Sequence, residues 1–154
     1  MHKNVEIKEL PSDQTSTLSA LILNAPKDYT KHFTPFSFEE DSLKKIIDDA
    51  VNDKYFGIFI NDDLAGFYML RGFDEGFEVP SYGVWISDKF SGLGLSKLTL
   101  QHAITFCKVN GLKKIMLKVH PKNIIAKRIY EAFGFKQEGF DDNNSNLIYY
   151  KSLD

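Results

Sequence analysis

Cysteine is almost missing from this chain: Cys107 is the one thiol among 154 residues. A lone thiol excludes a disulfide framework and a zinc site built on several thiolates. A reducing compartment is then the simpler home, and no metal is expected. There is no excess of either charge, since 19 Lys and Arg face 21 Asp and Glu for a formal net charge of −2. That balance lacks the electrostatic footprint of a nucleic-acid binder. Long apolar runs are also lacking, and nothing approaches the roughly 20 residues that a membrane helix needs. Met1-His2-Lys3-Asn4-Val5-Glu6 leads into no apolar stretch, so no secretory signal is expected. The expectation is a cytoplasmic protein with no membrane or nucleic-acid partner. What the chain does have is 43% hydrophobic residues and 13 phenylalanines. That is enough to bury a core in one domain spanning residues 1–154.

The hydrophobic period changes along the chain. Val5–Leu10 alternates as a strand. A helix follows Pro11-Ser12-Asp13, with Leu18, Leu21 and Ile22 on its apolar face, and ends at Asn24-Ala25-Pro26. Residues 27–36 read as an irregular aromatic loop. Ser37-Phe38-Glu39-Glu40 has the form of a capping box opening a second helix through Leu43, Ile46, Ile47, Ala50 and Val51. Residues 55–60 and 64–71 read as a hairpin around Asn61-Asp62-Asp63. Then come a loop to Pro80, a strand over 81–87, a glycine turn, and a helix from Leu95 to Asn110 with Leu95, Leu98, His102, Ala103 and Phe106 on one side. A strand over 114–119, a helix from about Asn123, and two strands near 135–138 and 147–152 complete the chain. The expected class is one α/β domain with a mixed sheet.

The segment Lys89-Phe90-Ser91-Gly92-Leu93-Gly94 joins a strand to a helix. Glycines there let backbone amides approach a ligand, and the helix dipole favours an anion. By itself a Gly-x-Gly is equally a plain connection. Two nucleotide motifs can be excluded. A dinucleotide fingerprint needs a third glycine where Lys97 stands, and a nucleoside-triphosphate loop needs Gly-Lys followed by Ser or Thr.

A third pattern fits. Over Tyr82–Phe135 the chain resembles the Gcn5-related N-acetyltransferases (GNAT). The resemblance rests on the glycine turn Gly92-Leu93-Gly94, then Asn123, Ala126 and Tyr130, then Gly134-Phe135. Lys89 departs from the family's Gln or Arg and offers charge without a planar fork. The resemblance implies a single α/β domain whose mixed, largely antiparallel sheet is flanked by helices, with acetyl-CoA as co-substrate. Its pantothenate arm would lie along Tyr82, Gly83 and Val84, and its pyrophosphate would rest on Lys89, Phe90, Ser91, Gly92, Leu93, Gly94 and Leu95. Asn123 would touch the arm while also capping a helix. By its spacing alone Tyr130 reads as a packed core tyrosine; the resemblance implies instead that it protonates the departing thiolate. Glu78 stands fourteen residues before Gly92, where the lysine-acetylating branch keeps its glutamate. It is the candidate base, beside the reading of a plain loop carboxylate. His120 and water are the alternatives, and Lys118 cannot serve. His102 and Cys107 read as packing residues.

The loop between the first two helices commonly covers the acceptor in that family. Here Tyr29, His32, Phe33 and Phe36 would form an aromatic wall for a compact amine, by stacking or cation–π contact. Phe33 and Phe36 read equally well as core plugs. The expected activity is direct acetyl transfer to a small-molecule primary amine (an amino sugar, amino acid or polyamine). The alternatives are a protein N-terminal or lysine acetyltransferase, or a non-catalytic CoA-binding module. The assembly is expected to be a monomer or homodimer.

Overall fold

A computed structural model describes residues 2–154. In chain order the elements are β1 (Val5–Glu9), α1 (Thr15–Leu23), α2 (Lys27–Thr30), α3 (Glu40–Asp49), β2 (Lys54–Ile60), β3 (Asp63–Arg71), β4 (Ser81–Ile86), α4 (Leu95–Val109), β5 (Lys114–Val119), α5 (Ile124–Ala132), β6 (Lys136–Phe140) and β7 (Leu147–Ser152). The strands hydrogen-bond in the order β1-β2-β3-β4-β5-β7-β6. β1–β2, β5–β7 and β7–β6 are antiparallel, and β4–β5 is parallel. The expected mixed, largely antiparallel α/β sheet is what forms.

The chain divides into two compact units. One holds the residues up to Met69 together with Val84–Thr99, and the other holds Leu70–Gly83 with Leu100–Asp154. In the first unit, β2 and β3 meet at Asn61 and Asp62, both at positive φ (48° and 71°). Two residues with left-handed φ make the tight turn whose twist matches that of the strands it joins. Both strands are buried along nearly their whole length, so they read as continuous apolar runs and not as alternation. Successive residues of β4 point to opposite faces. Trp85 enters a cluster with Leu18, Phe38, Leu43, Phe67 and Met69, whereas Val84 and Ile86 pack with Ile58, Ala65 and Leu95.

In the second unit, α5 has both ends fixed by its own sequence. The Asn123 side chain accepts the Ala126 amide at 3.2 Å, as an N-cap should. At the other end Gly134 adopts φ 91°. Its N–H donates to the Glu131 carbonyl at 3.0 Å, and the Phe135 N–H donates to the Tyr130 carbonyl at 3.0 Å. This is the Schellman arrangement, and its usual apolar contact is present as the Tyr130 and Phe135 rings, with centroids 6.0 Å apart.

Three local expectations need correction. The capping box at Ser37 does not form. The Ser37 hydroxyl accepts the Glu39 amide at 3.2 Å in a local turn, and α3 starts at Glu40 with Glu39 as N-cap. Serine turns of this kind compete with caps. Residues 27–30 form a single helical turn with Pro26 as N-cap, whose carbonyl accepts from the amides of Tyr29 and Thr30. On α4 the buried side runs through Thr99, Leu100, Ala103, Ile104 and Cys107, while Leu98 is exposed.

Candidate active site

The glycine turn belongs to the first unit. The backbone amides of Lys89, Phe90 and Ser91 are engaged within the chain, which leaves the side chain as the expected contribution of Lys89. A 3₁₀ turn at Asp88–Phe90 uses these amides: Lys89 N–H donates to the Ser87 hydroxyl, Phe90 N–H to the Ser87 carbonyl, and Ser91 N–H to the Asp88 carbonyl. The next amides are different. The first bond of α4 runs from Leu98 N–H to the Gly94 carbonyl at 3.1 Å. The amides of Leu95, Ser96 and Lys97 therefore have no partner within the helix. Gly92 and Gly94 sit at φ 77° and 81°, and a Cβ built on either meets no atom within 4 Å. The turn is exposed and open, and α4 is long enough to bring a full dipole to it. These amides, Gly92 through Lys97, together with the exposed Lys89 and Lys97, form a donor set for a phosphate-like anion. Ser96 and Lys97 were not expected at the site. A helix beginning directly after Gly94 makes them its second and third residues, and that was the available signal.

Strand β4 leads into this turn. Its parallel pairing with β5 covers Ser81 (to Met116) and Tyr82 (to Leu117), and β4 continues to Ile86 beyond them. Tyr82 is buried, and Gly83 and Val84 are half-buried.

The aromatic loop lies in the same unit as the turn. The Tyr29 hydroxyl donates to the Ile86 carbonyl at 2.7 Å, which ties the loop to the end of β4. Burial and the neighbouring Asp88 raise its pKa. Phe33 stacks on Phe38 at 5.6 Å and meets Phe67 edge-on at 5.9 Å, while Phe36 lies 5.1 Å from Phe38. Both phenylalanines are half-buried against the core, so one face of each already has a structural partner. His32 is exposed.

The second unit carries the remaining candidates. Tyr130 keeps some exposed surface, yet its hydroxyl is buried, and that burial pushes its pKa up to about 12. Glu78 is exposed on the loop before Pro80, outside any strand. His120 ends β5 with Nδ1 accepting the Lys122 amide at 3.1 Å. A neutral imidazole bonded this way carries its proton on Nε2, so its lone pair is already engaged. Cys107 is fully buried, with its pKa pushed up to about 11, which removes it as a nucleophile at neutral pH. His102 is half-buried, and burial lowers its pKa. Among the described residues there is no cluster of three or more His, Cys, Asp or Glu able to hold a metal ion.

The sequence matches the acetyltransferase (GNAT) family model over residues 22–135. It is also 32% identical over 123 residues to the spermine/spermidine N(1)-acetyltransferase of Bacillus subtilis strain 168, covering 73% of this chain and 81% of that protein. The chain belongs to the GNAT family. Solved structures share the fold. The PaiA N-acetyltransferase from Thermoplasma acidophilum in complex with coenzyme A has a TM-score of 0.79 at 20% identity, covering 97% of this chain and 99% of that one. A Salmonella typhimurium acetyltransferase that modifies the N-terminal serine of ribosomal protein L7/L12 has a TM-score of 0.77 at 15% identity, covering 97% and 95%.

This GNAT chain is an N-acetyltransferase with acetyl-CoA as co-substrate. The donor set from Gly92 to Lys97 fits the pyrophosphate of that molecule, because it is open, exposed and flanked by cations. No helix among the described residues is long and apolar enough to cross a membrane.

Proposed function

We propose that this enzyme acetylates a primary amine of a small molecule, with polyamines as the leading class. The observation that carries the reading is the 32% identity to a curated spermine/spermidine N(1)-acetyltransferase across most of both chains. The structural neighbours that modify ribosomal proteins are below 25% identity and speak for the fold alone. The exposed loop carboxylates Asp74, Glu75 and Glu78 provide negative charge suited to a polycation.

Acetyl-CoA supplies the activated acyl group. The amides of Gly92–Lys97 hold its pyrophosphate, and the backbone of Tyr82, Gly83 and Val84 pairs with its arm by strand addition. Asn123 stays a helix cap, and its exposed side chain borders the arm. The acceptor amine loses a proton to Glu78, directly or through water, before it attacks. The Tyr130 hydroxyl delivers a proton to the departing sulfur. Burial raises the pKa of this phenol, so it holds its proton at neutral pH but is a weaker acid than a free tyrosine. Ordinary values put a tyrosine only about 1.5 units above a thiol, and the burial that weakens the phenol as an acid also raises the cost of a bare thiolate. The Tyr29 loop and the outer faces of Phe33 and Phe36 contact the acceptor.

A thiol-release assay across spermidine, spermine, putrescine, glucosamine, free amino acids and lysine peptides tests this. The highest kcat/KM is expected for a polyamine. Efficient acetylation of peptides with no small amine accepted overturns it. Glu78→Gln is expected to depress the acidic limb of the kcat/KM profile, and an unchanged profile assigns deprotonation to water or to the substrate's own ionisation.

A further inference from the structure

We propose that Tyr149 and Glu131 act as a positioning pair for the Tyr130 hydroxyl, setting the angle at which α5 presents it. The inference rests on the reading of Tyr130 as proton donor.

Tyr149 lies on β7 at 1% exposure, and its hydroxyl donates to the Glu131 carboxylate at 2.9 Å. Glu131 is the residue after Tyr130 and is exposed, so a buried phenol reaches out to the flank of the helix. Bonds to an ionised carboxylate are stronger and more directional than neutral ones. The consequence follows from how α5 is held. None of its residues is fully buried, and Ala126, Ile129 and Tyr130 are half-buried at best. A helix without a fully buried side chain has fewer packing contacts to resist rotation about its axis. The Schellman bonds and the Phe135 contact fix the C-terminal end along that axis. The Tyr149–Glu131 bond joins the same helical turn to the sheet and opposes the roll.

The lever arm makes this matter. A tyrosine hydroxyl stands roughly 9 Å from its helix axis, so a roll of about 10° moves it about 1.5 Å. A displacement near 1 Å in a reacting group can cost about 10²-fold in rate. The spacing of eighteen residues between Glu131 and Tyr149 hides the pair from any local reading of the sequence.

The test is a mutant cycle read in kcat under conditions where chemistry is rate-limiting. Tyr149→Phe and Glu131→Ala are expected to lower kcat about 10- to 100-fold with both KM values changed less than about two-fold. Glu131→Gln keeps an oxygen acceptor and is expected to retain most of the activity. In a Tyr130→Phe background neither substitution is expected to lower kcat further, because the group they position is gone. An independent readout is the alkaline absorbance difference between Tyr149→Phe and Tyr149→Phe/Tyr130→Phe, which isolates the Tyr130 phenol. Compared with the difference between wild type and Tyr130→Phe, its midpoint is expected to move down toward the ordinary tyrosine value, because a rolled helix exposes the hydroxyl to water. Equal losses with and without Tyr130 assign the pair a purely structural role and overturn the inference, as does full activity of both variants. If Tyr149→Phe does not fold, the exposed Glu131→Ala carries the cycle. Failure of the underlying reading looks different: Tyr130→Phe alone then keeps wild-type kcat, and the positioning role falls with it.

Discussion

Tyr130 has two separable attachments, a ring packed on Phe135 and a hydroxyl whose pKa burial pushes up to about 12. Tyr130→Phe keeps the ring contact and removes only the oxygen. A fall in kcat of roughly 10- to 10³-fold, the range of general-acid contributions, is expected in steady-state assays, with CoA affinity by calorimetry unchanged. The same shift makes a stability prediction. Below pH 10 the phenol is neutral in both folded and unfolded chains, and nothing is linked to pH. Between about 10 and 12 the unfolded chain ionises and the folded one does not, so stability falls as pH rises through that window. Urea midpoints measured across it are expected to drop less steeply for Tyr130→Phe than for the wild type. Nothing in the local sequence showed this environment. Ala126 and Tyr130 at helical spacing announced a packed face, and the family pattern announced a hydroxyl with a task. The structure shows the packing, with the ring against Phe135 and the hydroxyl buried, and the proton-donor role is the proposal that Tyr130→Phe tests.

Elements whose ends are written in neighbouring residues were legible. Asn123 before Ile124, Gly134 after Phe133, and Asn61-Asp62 between two apolar runs all sit where side-chain and backbone chemistry demand a boundary. Ser37 failed as a boundary because its hydroxyl found a nearer amide, and Leu98 failed as a core residue because helical spacing alone does not say which stripe faces inward. At the glycine turn, the sequence located the glycines but not which amides remain open, since that depends on the 3₁₀ turn at Asp88–Phe90. Two kinds of glycine now separate. Gly92→Val and Gly94→Val meet no neighbouring atom but force a branched residue to positive φ. They are expected to cost about 1–3 kcal/mol of stability each and to weaken CoA binding in calorimetry. Gly66 on β3 has the opposite problem. A Cβ there would lie 2.4 Å from the Trp85 carbonyl oxygen and 2.9 Å from the Ile86 Cα, both backbone atoms that cannot step aside. Gly66→Ala is therefore expected to lower the melting temperature more than Gly92→Ala, despite adding the same single methyl group.

At the scale of the whole chain, the fold class, the mixed sheet and the family were readable from 154 residues. The insertion of β7 between β5 and β6 was not. That order depends on pairing across sequence distance, such as Lys114 with Ser152, which no local period encodes. A chain that binds its co-substrate only when folded must also be stabilised by it. At a hundred times its Kd, CoA is expected to add about 2.7 kcal/mol. For a chain of this length that corresponds to a rise in Tm of roughly 5–11 °C in differential scanning fluorimetry. Gly94→Val is expected to flatten the response, whereas Tyr130→Phe preserves it.

Cys107 finally bears on how the enzyme is handled. It sits on α4 with no exposed surface and a pKa near 11. Burial keeps the thiol protonated and out of reach of solvent. Disulfide reagents added to the folded enzyme therefore register the free CoA that turnover releases and leave the protein unlabelled. A slow rise in reagent colour with neither acceptor nor acetyl-CoA present marks unfolding, so the same reagent follows both turnover and the integrity of the catalyst.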